Sequence, residues 1–369
     1  MKTRFWLSLD YILVGSAFCI CSLGVLAIAS ASRTDPRPFA FAQRQILWVL
    51  LGFCLAGLVA ASDYRKFTGQ SKLIYGAIVI LLLSVAVLGA EAKGAQRWIR
   101  IGAFQLQPSE LAKVGLVISL ASVLPTIKQQ GDTFLGALRG LAHVGLPTAV
   151  ILFQPDLGTA LVLLAVWFMM AVTAGLNWKP LLCLVFALLV LFVGAWKVGF
   201  IKDYQKDRLV SFLDPQADPN QSGYHAIQSK IAVGSGRLFG KGLFRGPQSE
   251  LNFIPEQHTD FVFTVIAEEM GFAGCSLLLA LYGILIWRLI VLARRCEELS
   301  GQLIAMGVAA IFTCQVFCNV GMTVSLTPVV GIPLPLASYG GSSMLAQMVA
   351  LGLAQSVHRQ PHEIRFGAG

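Results

Sequence analysis

The chain has 369 residues, of which 56% are hydrophobic and only 13% charged, against about 25% charged in a typical soluble domain. A soluble fold of this length cannot hide so much apolar surface, so lipid must be the solvent. The net charge of +9 fits loops rich in Lys/Arg on the cytoplasmic side of a membrane and argues against a nucleic-acid partner.

The first apolar stretch, from Leu7 to Ala29, lacks a small-residue cleavage signature and is followed by many equally apolar runs. It therefore reads as a retained anchor rather than a signal peptide. Runs of about 20 apolar residues, enough to cross a hydrocarbon core, fall at 8–31, 45–61, 73–90, 108–127, 134–153, 157–176, 178–200, 261–293, 302–326 and 332–357. The expected fold is thus an all-α polytopic membrane protein of about ten spans. Gln154-Pro155-Asp156 makes a tight turn between the fifth and sixth runs, and Gly271 and Gly274 mark a bend in the overlong eighth. With the N-terminus inside, eleven Lys/Arg lie in inner short loops and six in outer ones, which places both termini in the cytoplasm.

Residues 201–260 form one long polar stretch, a large extracytoplasmic loop in this orientation. Tyr224, Ile227 and Ile231 recur at helical spacing and predict an amphipathic helix on the membrane surface. The glycines Gly234, Gly236, Gly240 and Gly242 fail the phosphate-loop pattern and read as a flexible turn. The eight cysteines sit almost all within apolar runs, without a C-x-x-C pair, and read as packing residues. Pro361 between His358 and His362 argues against a helical metal pair. No internal repeat is visible, which weakens a transporter reading.

Ionisable residues inside a membrane segment are costly and are candidates for function. Glu110 and Lys113, three apart behind Pro108, share one helix face. They form either a capped helix start with a structural ion pair or a cavity-lining pair that meets a polar ligand. Asp156 is either the N-cap of the sixth segment or part of a polar cavity. The densest cluster is Asn252 to Phe261, in which His258 and Asp260 stand directly before a membrane helix. Asp260 is either an N-cap or, half-buried at an apolar boundary, a carboxylate tuned towards general-base work. Glu268 and Glu269 either bound the bend or join the chemistry. Pro333, Pro335 and Ser338 to Ser343 predict non-helical backbone lining a cavity, or a kinked helix start.

The runs Lys93-Gly94-Ala95-Gln96-Arg97-Trp98, Gln107-Pro108-Ser109-Glu110, Gln154 to Thr159, Asp203-Tyr204-Gln205, Leu213-Asp214-Pro215, Gly223-Tyr224-His225, Gln228 to Ala232, Pro255 to Phe261 and Pro333-Leu334-Pro335 with Ser338 to Gly341 together resemble the SEDS family (shape, elongation, division and sporulation). The order matches over essentially the whole chain. Pro328 to Pro333 and Asp203-Tyr204-Gln205 resemble the RodA-type elongation branch more than the FtsW division branch. The resemblance implies a single SEDS-type membrane domain over 1–369, multi-pass in the bacterial cytoplasmic (inner) membrane. It implies a peptidoglycan glycosyltransferase that polymerises lipid II on the extracytoplasmic face, for elongation and rod shape. The implied partners are a class B penicillin-binding protein, the transpeptidase, and other membrane proteins of the elongation complex. Asp260 matches the family's catalytic aspartate.

Lipid II carries an α-linked sugar and the glycan is β-linked, so the transfer inverts. A single displacement needs one base, here Asp260, and stabilisation of the departing pyrophosphate. Arg97, Arg100, Lys113 and Arg208, or a divalent cation such as Mg or Mn, are candidates for the latter. Glu110, Asp156 and His258 complete the candidate substrate contacts. The rival is a lipid II flippase, which an acid-rich motif confined to one face suits poorly.

Overall fold

The computed structural model describes residues 8–33, 37–92, 95–102, 104–131, 134–199, 206, 208, 210–212, 214, 222–246 and 257–360. In chain order its helices are α1 Tyr11–Ala31, α2 Ala40–Ala61, α3 Tyr64–Gly69, α4 Ser71–Leu88, α5 Pro108–Gln129 and α6 Phe134–Phe153. They continue with α7 Leu157–Thr173, α8 Trp178–Lys197, α9 Ser222–Ser235, α10 Val262–Arg295, α11 Leu299–Thr323 and α12 Gly341–Arg359. Each of the ten predicted runs overlaps one helix. Among the described residues eight helices are long and apolar enough to cross a membrane, and α7 is a shorter apolar one.

The interior is apolar as in a soluble protein, and it is the outer surface that differs. Leu50, Leu58, Ile80, Val87 and Leu191 are exposed on the outside of the bundle, and contiguous apolar surface of this kind requires a lipid solvent. Helix α5 is buried on nearly every side through Val114–Ala121, whereas α8 lies at the edge with only Leu181 and Leu184 buried. Helices α2 and α12 approach closely because small residues face each other. A methyl placed on Gly352 would meet the Ala56 carbonyl at 2.7 Å, and one on Gly52 would meet Met348.

Local chemistry sets the helix starts. Asp10 accepts from the N–H groups of Ile12 and Leu13, Asp156 from Thr159, and Asn177 from Lys179, satisfying donors that have no partner within the first turn. Pro108 occupies the first turn of α5, where its missing N–H costs nothing.

Four features depart from the sequence reading. Gly89–Ala92, Ala95–Ile101 and Phe104–Leu106 form a three-stranded antiparallel sheet, β1-β2-β3, where a plain loop was expected. The register pairs Gly89 with Ile99 and Ile99 with Leu106. The tenth run is helical only from Gly341 and not from 332; residues 324–340 are not helical, which bears out the non-helical backbone read from Pro333, Pro335 and Ser338. Pro328, Pro333 and Pro335 lack the N–H a helix needs, and Gly331 has a φ of 70°. The amphipathic segment is a helix, but its inner face, Ala226, Ser229 and Ala232, packs on protein, with the Ser229 hydroxyl donating to the Thr323 carbonyl at 2.7 Å. Ile231, expected on the apolar face, is exposed. The glycines are not a flexible turn either: Gly234 lies in the helix, Gly236 and Gly240 are wedged against α10, and the Gly242 N–H donates to the Glu269 carbonyl. The expected bend is real: α10 breaks at Gly271.

The two ends of the bundle differ. At the end away from the sheet, Arg288 pairs with Asp10 at 2.7 Å, and Tyr64 and Arg65 both donate to Glu298 at 2.7 Å. An apolar cavity of about 710 Å³ opens there between α1, α2 and α12. The sheet end gathers the candidate chemistry.

Candidate active site

Residues 327–332, neither helix nor strand, are the segment around which the site is built. Gly331 faces Asp260 so closely that a methyl there would stand 3.3 Å from Asp260 Oδ2. Asn319, fully buried in α11, donates from Nδ2 to the carbonyls of both Asp260 and Ile332 at 2.8 Å. The turn carrying the carboxylate is thereby fixed to this segment. Arg208 reaches the same segment from the 201–260 stretch, donating from Nη1 to the Val330 carbonyl at 3.3 Å. The start of α7 closes the other side, where a methyl on Gly158 would meet Ile332 at 2.7 Å and the Val330 carbonyl at 3.2 Å. Asp260, Arg208 and the Asp156 turn, far apart in sequence, thus converge on six residues.

Asp260 is half-buried. It is not the N-cap of α10: that position falls on Phe261, whose carbonyl accepts from Thr264 and which supplies no side-chain cap. One turn earlier, the His258 ring stacks on Phe41 at 4.5 Å between centroids, with Tyr339 edge-on to both. The Tyr339 N–H donates to the His258 carbonyl at 2.9 Å. Gln45 then holds the Ser338 carbonyl and the Gly340 N–H. An aromatic wall beside a fixed carboxylate suits a carbohydrate, whose C–H faces pack on rings.

Glu110 and Lys113 form a buried ion pair of 2.8 Å, their side chains 2% and 3% exposed. Glu110 Oε2 and the neighbouring Ser109 hydroxyl lack hydrogen-bond partners among the described residues. Antiparallel α11 packs on this helix, since a methyl on Gly307 would meet Val117 at 2.8 Å. Two turns further along, Gln315 is fully buried with neither amide atom paired among the described residues. The Ser342 hydroxyl accepts from the Gln107 N–H and donates to the Gln105 carbonyl, so α12 anchors the start of α5 to the sheet.

Asp156 is the N-cap of α7, accepting from Thr159 N–H at 3.2 Å and the Thr159 hydroxyl at 2.8 Å. Arg97, on β2, clamps this turn: its guanidinium donates to the Gln154 and Pro155 carbonyls and lies 3.9 Å from Asp156. Arg100, three residues on, is exposed. Glu268 and Glu269 lie at the bend of α10, apart from residues 327–332. Asp203-Tyr204-Gln205 and Pro255-Glu256 fall outside the described residues.

No three His, Cys, Asp or Glu side chains gather as a metal site among the described residues. Asn319, Gly331 and the ring of Phe41 were not anticipated. Asn319 and Gln315, four apart in an otherwise apolar run, carried the same signal as Glu110: polar groups where lipid makes them costly.

The comparisons agree with this architecture. A peptidoglycan glycosyltransferase, MrdB of Escherichia coli K12, is 37% identical over 365 residues, covering 97% of this chain and 96% of its own. The peptidoglycan glycosyltransferase RodA of Treponema pallidum is 32% identical, covering 97% and 99%. A chain solved in a peptidoglycan synthase complex that coordinates polymerization and crosslinking superposes with a TM-score of 0.83 at 37% identity, over 96% of this chain and 98% of that one. The crystal structure of the rod shape determining protein RodA of Thermus thermophilus gives 0.70 at 37% identity, with the same coverage. The FTSW_RODA_SPOVE family of cell cycle proteins matches residues 8–363, and this chain, a multi-pass membrane protein, belongs to that family.

Proposed function

We propose that the chain is a peptidoglycan glycosyltransferase that polymerises lipid II by inverting transfer, with Asp260 as general base. The observation that carries this is the half-buried Asp260, whose backbone carbonyl is tied through Asn319 to residues 327–332, where its carboxylate faces Gly331 and Arg208 and the Asp156 turn also meet. The acceptor hydroxyl gives its proton to Asp260 as its oxygen bonds to the anomeric carbon. The bond from that carbon to the pyrophosphate breaks, and the pyrophosphate leaves with the electron pair. Arg208, Lys113 and Arg100 are assigned to the developing charge. Arg97 acts on the site through the turn it clamps. Glu110, Asp156 and His258 border the substrate path.

A Mg or Mn ion would arrive with the pyrophosphate, since such ions are held by one or two carboxylates plus substrate phosphates. Restoring polymerisation with either ion after chelator treatment tests this. The active face is extracytoplasmic and the membrane is the bacterial inner one. The partners are a class B penicillin-binding protein and other elongation-complex proteins, supported by the likeness to a chain from a synthase complex.

The test is glycan length on a gel, from lipid II and matched amounts of folded chain with its transpeptidase. General-base catalysis contributes about 10²–10⁴-fold, so Asp260→Asn should insert and bind its partner yet make essentially no polymer. Wild-type-like glycan from that variant would remove Asp260 from the chemistry.

A further inference from the structure

Two buried carboxylates, Glu268 and Glu269, have no place in the transfer, and they stand at the break of α10. Gly271 (φ 64°, ψ −161°) interrupts the helix, which frees carbonyls before it and N–H groups after it. Residues 236–246 supply the partners. The Lys241 and Gly242 N–H groups donate to the Glu268 and Glu269 carbonyls at 3.0 Å each. The Phe272 and Ala273 N–H groups donate to the Arg237 and Leu238 carbonyls at 2.9 and 3.0 Å.

Side chains double this joint. Lys241 Nζ lies 2.9 Å from Glu268 Oε1, the Ser30 hydroxyl donates to Glu269, and Arg33 Nη1 donates to the Phe244 carbonyl at 2.7 Å. The backbones meet only because glycine stands at the contacts. A methyl on Gly236 would lie 1.8 Å from the Ala267 carbonyl oxygen, and one on Gly240 would lie 2.1 Å from that of Glu269.

We propose that residues 236–246, locked into the α10 break through Lys241 and Glu268 and held at Phe244 by Arg33 just past α1, clamp the Asp260 end of α10 in place, with Ser30 of α1 holding Glu269 at the same joint. Lys241 and Glu268 are then positioning residues, acting through Asp260; this rests on the reading of Asp260 as the base. Val262–Met270 is the short helical piece between Asp260 and the break. With a rise of about 1.5 Å per residue, a tilt of about 5° at the break moves its far end by about 1 Å. A misplacement of about 1 Å costs about 10²-fold in rate.

The test pairs Gly236→Ala, which drives a methyl into α10, with Gly234→Ala, where nothing lies within 4 Å. Lys241→Met and Lys241→Arg form the second pair. The readouts are kcat and KM for lipid II polymerisation by the complex, and amide exchange over 262–270. Gly236→Ala and Lys241→Met should each lower kcat by about 10-fold or more, leave KM within about 3-fold, and speed exchange over 262–270. Gly234→Ala should behave as wild type, and Lys241→Arg should recover most of the loss. Wild-type kcat or unchanged exchange in Lys241→Met would overturn the clamp, as would Lys241→Arg failing as badly as Lys241→Met. Should Gly236→Ala not insert, the Lys241 pair decides alone, its side chain being 31% exposed. If Asp260→Asn still polymerises, the base assignment falls, and the exchange data still decide the clamp.

Discussion

Lys113→Met is the most informative single change in the membrane interior. It strips the cation from a carboxylate whose side chain is 2% exposed and whose second oxygen already lacks a partner among the described residues. Removing one member of a buried pair costs about 3–5 kcal/mol, against about 0–1 for an exposed pair. The variant should therefore melt well below wild type in detergent. Replacing both residues by apolar ones (Glu110→Leu with Lys113→Met) removes the charge instead of stranding it, and such exchanges are often neutral or stabilising. The double variant should regain wild-type stability. If the pair only braced α5, it would also regain polymerisation. On the substrate role proposed for the pair, the expectation is a stable, inserted protein that makes no glycan. The swap Glu110→Lys with Lys113→Glu keeps the attraction but puts a cation in the first turn, at a cost of about 0.3–1 kcal/mol. It too should fold and stay inactive. The assays are a thermal shift of purified protein and a glycan gel from lipid II. Near-normal glycan from the double variant or the swap would refute the substrate role.

Asn319→Leu removes both bonds that hold the Asp260 turn to Ile332; polymerisation should fall about 10²-fold while far-ultraviolet circular dichroism stays unchanged. Gln315→Leu deletes two buried amide atoms without partners among the described residues and should raise stability by about 1–3 kcal/mol in a detergent melt. Burial pushes the Glu298 carboxyl up, but hydrogen bonds from Ser300, Tyr64 and Arg65 outweigh it and hold the group below its usual range. Its contribution is therefore present above the ordinary Glu range near about pH 4.3 and lost as pH falls through the lowered value; Glu298→Gln should flatten the melting curve's acid limb. A reporter active only outside the cytoplasm should work when fused within 216–222 and fail after Gly369; equal signals would overturn the assigned orientation.

Most of the membrane architecture was legible because lipid imposes a simple rule: a spanning segment must be long, apolar and self-bonded. The Pro108 start of α5, the Asp156 cap and the Gly271 break followed from local chemistry that does not depend on distant partners. The sheet did not. Its strands are three to seven residues long and carry charges, so alternation is too brief to register against a loop. The start of α12 was misplaced because residues 332–340 are apolar for packing rather than for lipid: Leu334, Leu336 and Ala337 are buried against protein. The glycines at 236–242 were misread for a similar reason. A glycine that permits contact and one that permits motion look alike until the opposing backbone is known.

The site shows the same limit and its resolution. Asp260, Arg208 and Asp156 each looked ambiguous in sequence, since a cap, a surface cation and a catalytic group use the same side chains. What separates them is the segment 327–332, an unwound stretch that only a surrounding protein wall can support. Its carbonyls at Val330 and Ile332 take bonds from Arg208 and Asn319, and its glycine leaves room for the carboxylate. A regular helix there would turn those carbonyls inward upon itself and put a side chain where Asp260 stands. Breaking the helix is thus what allows residues from four parts of the chain to meet.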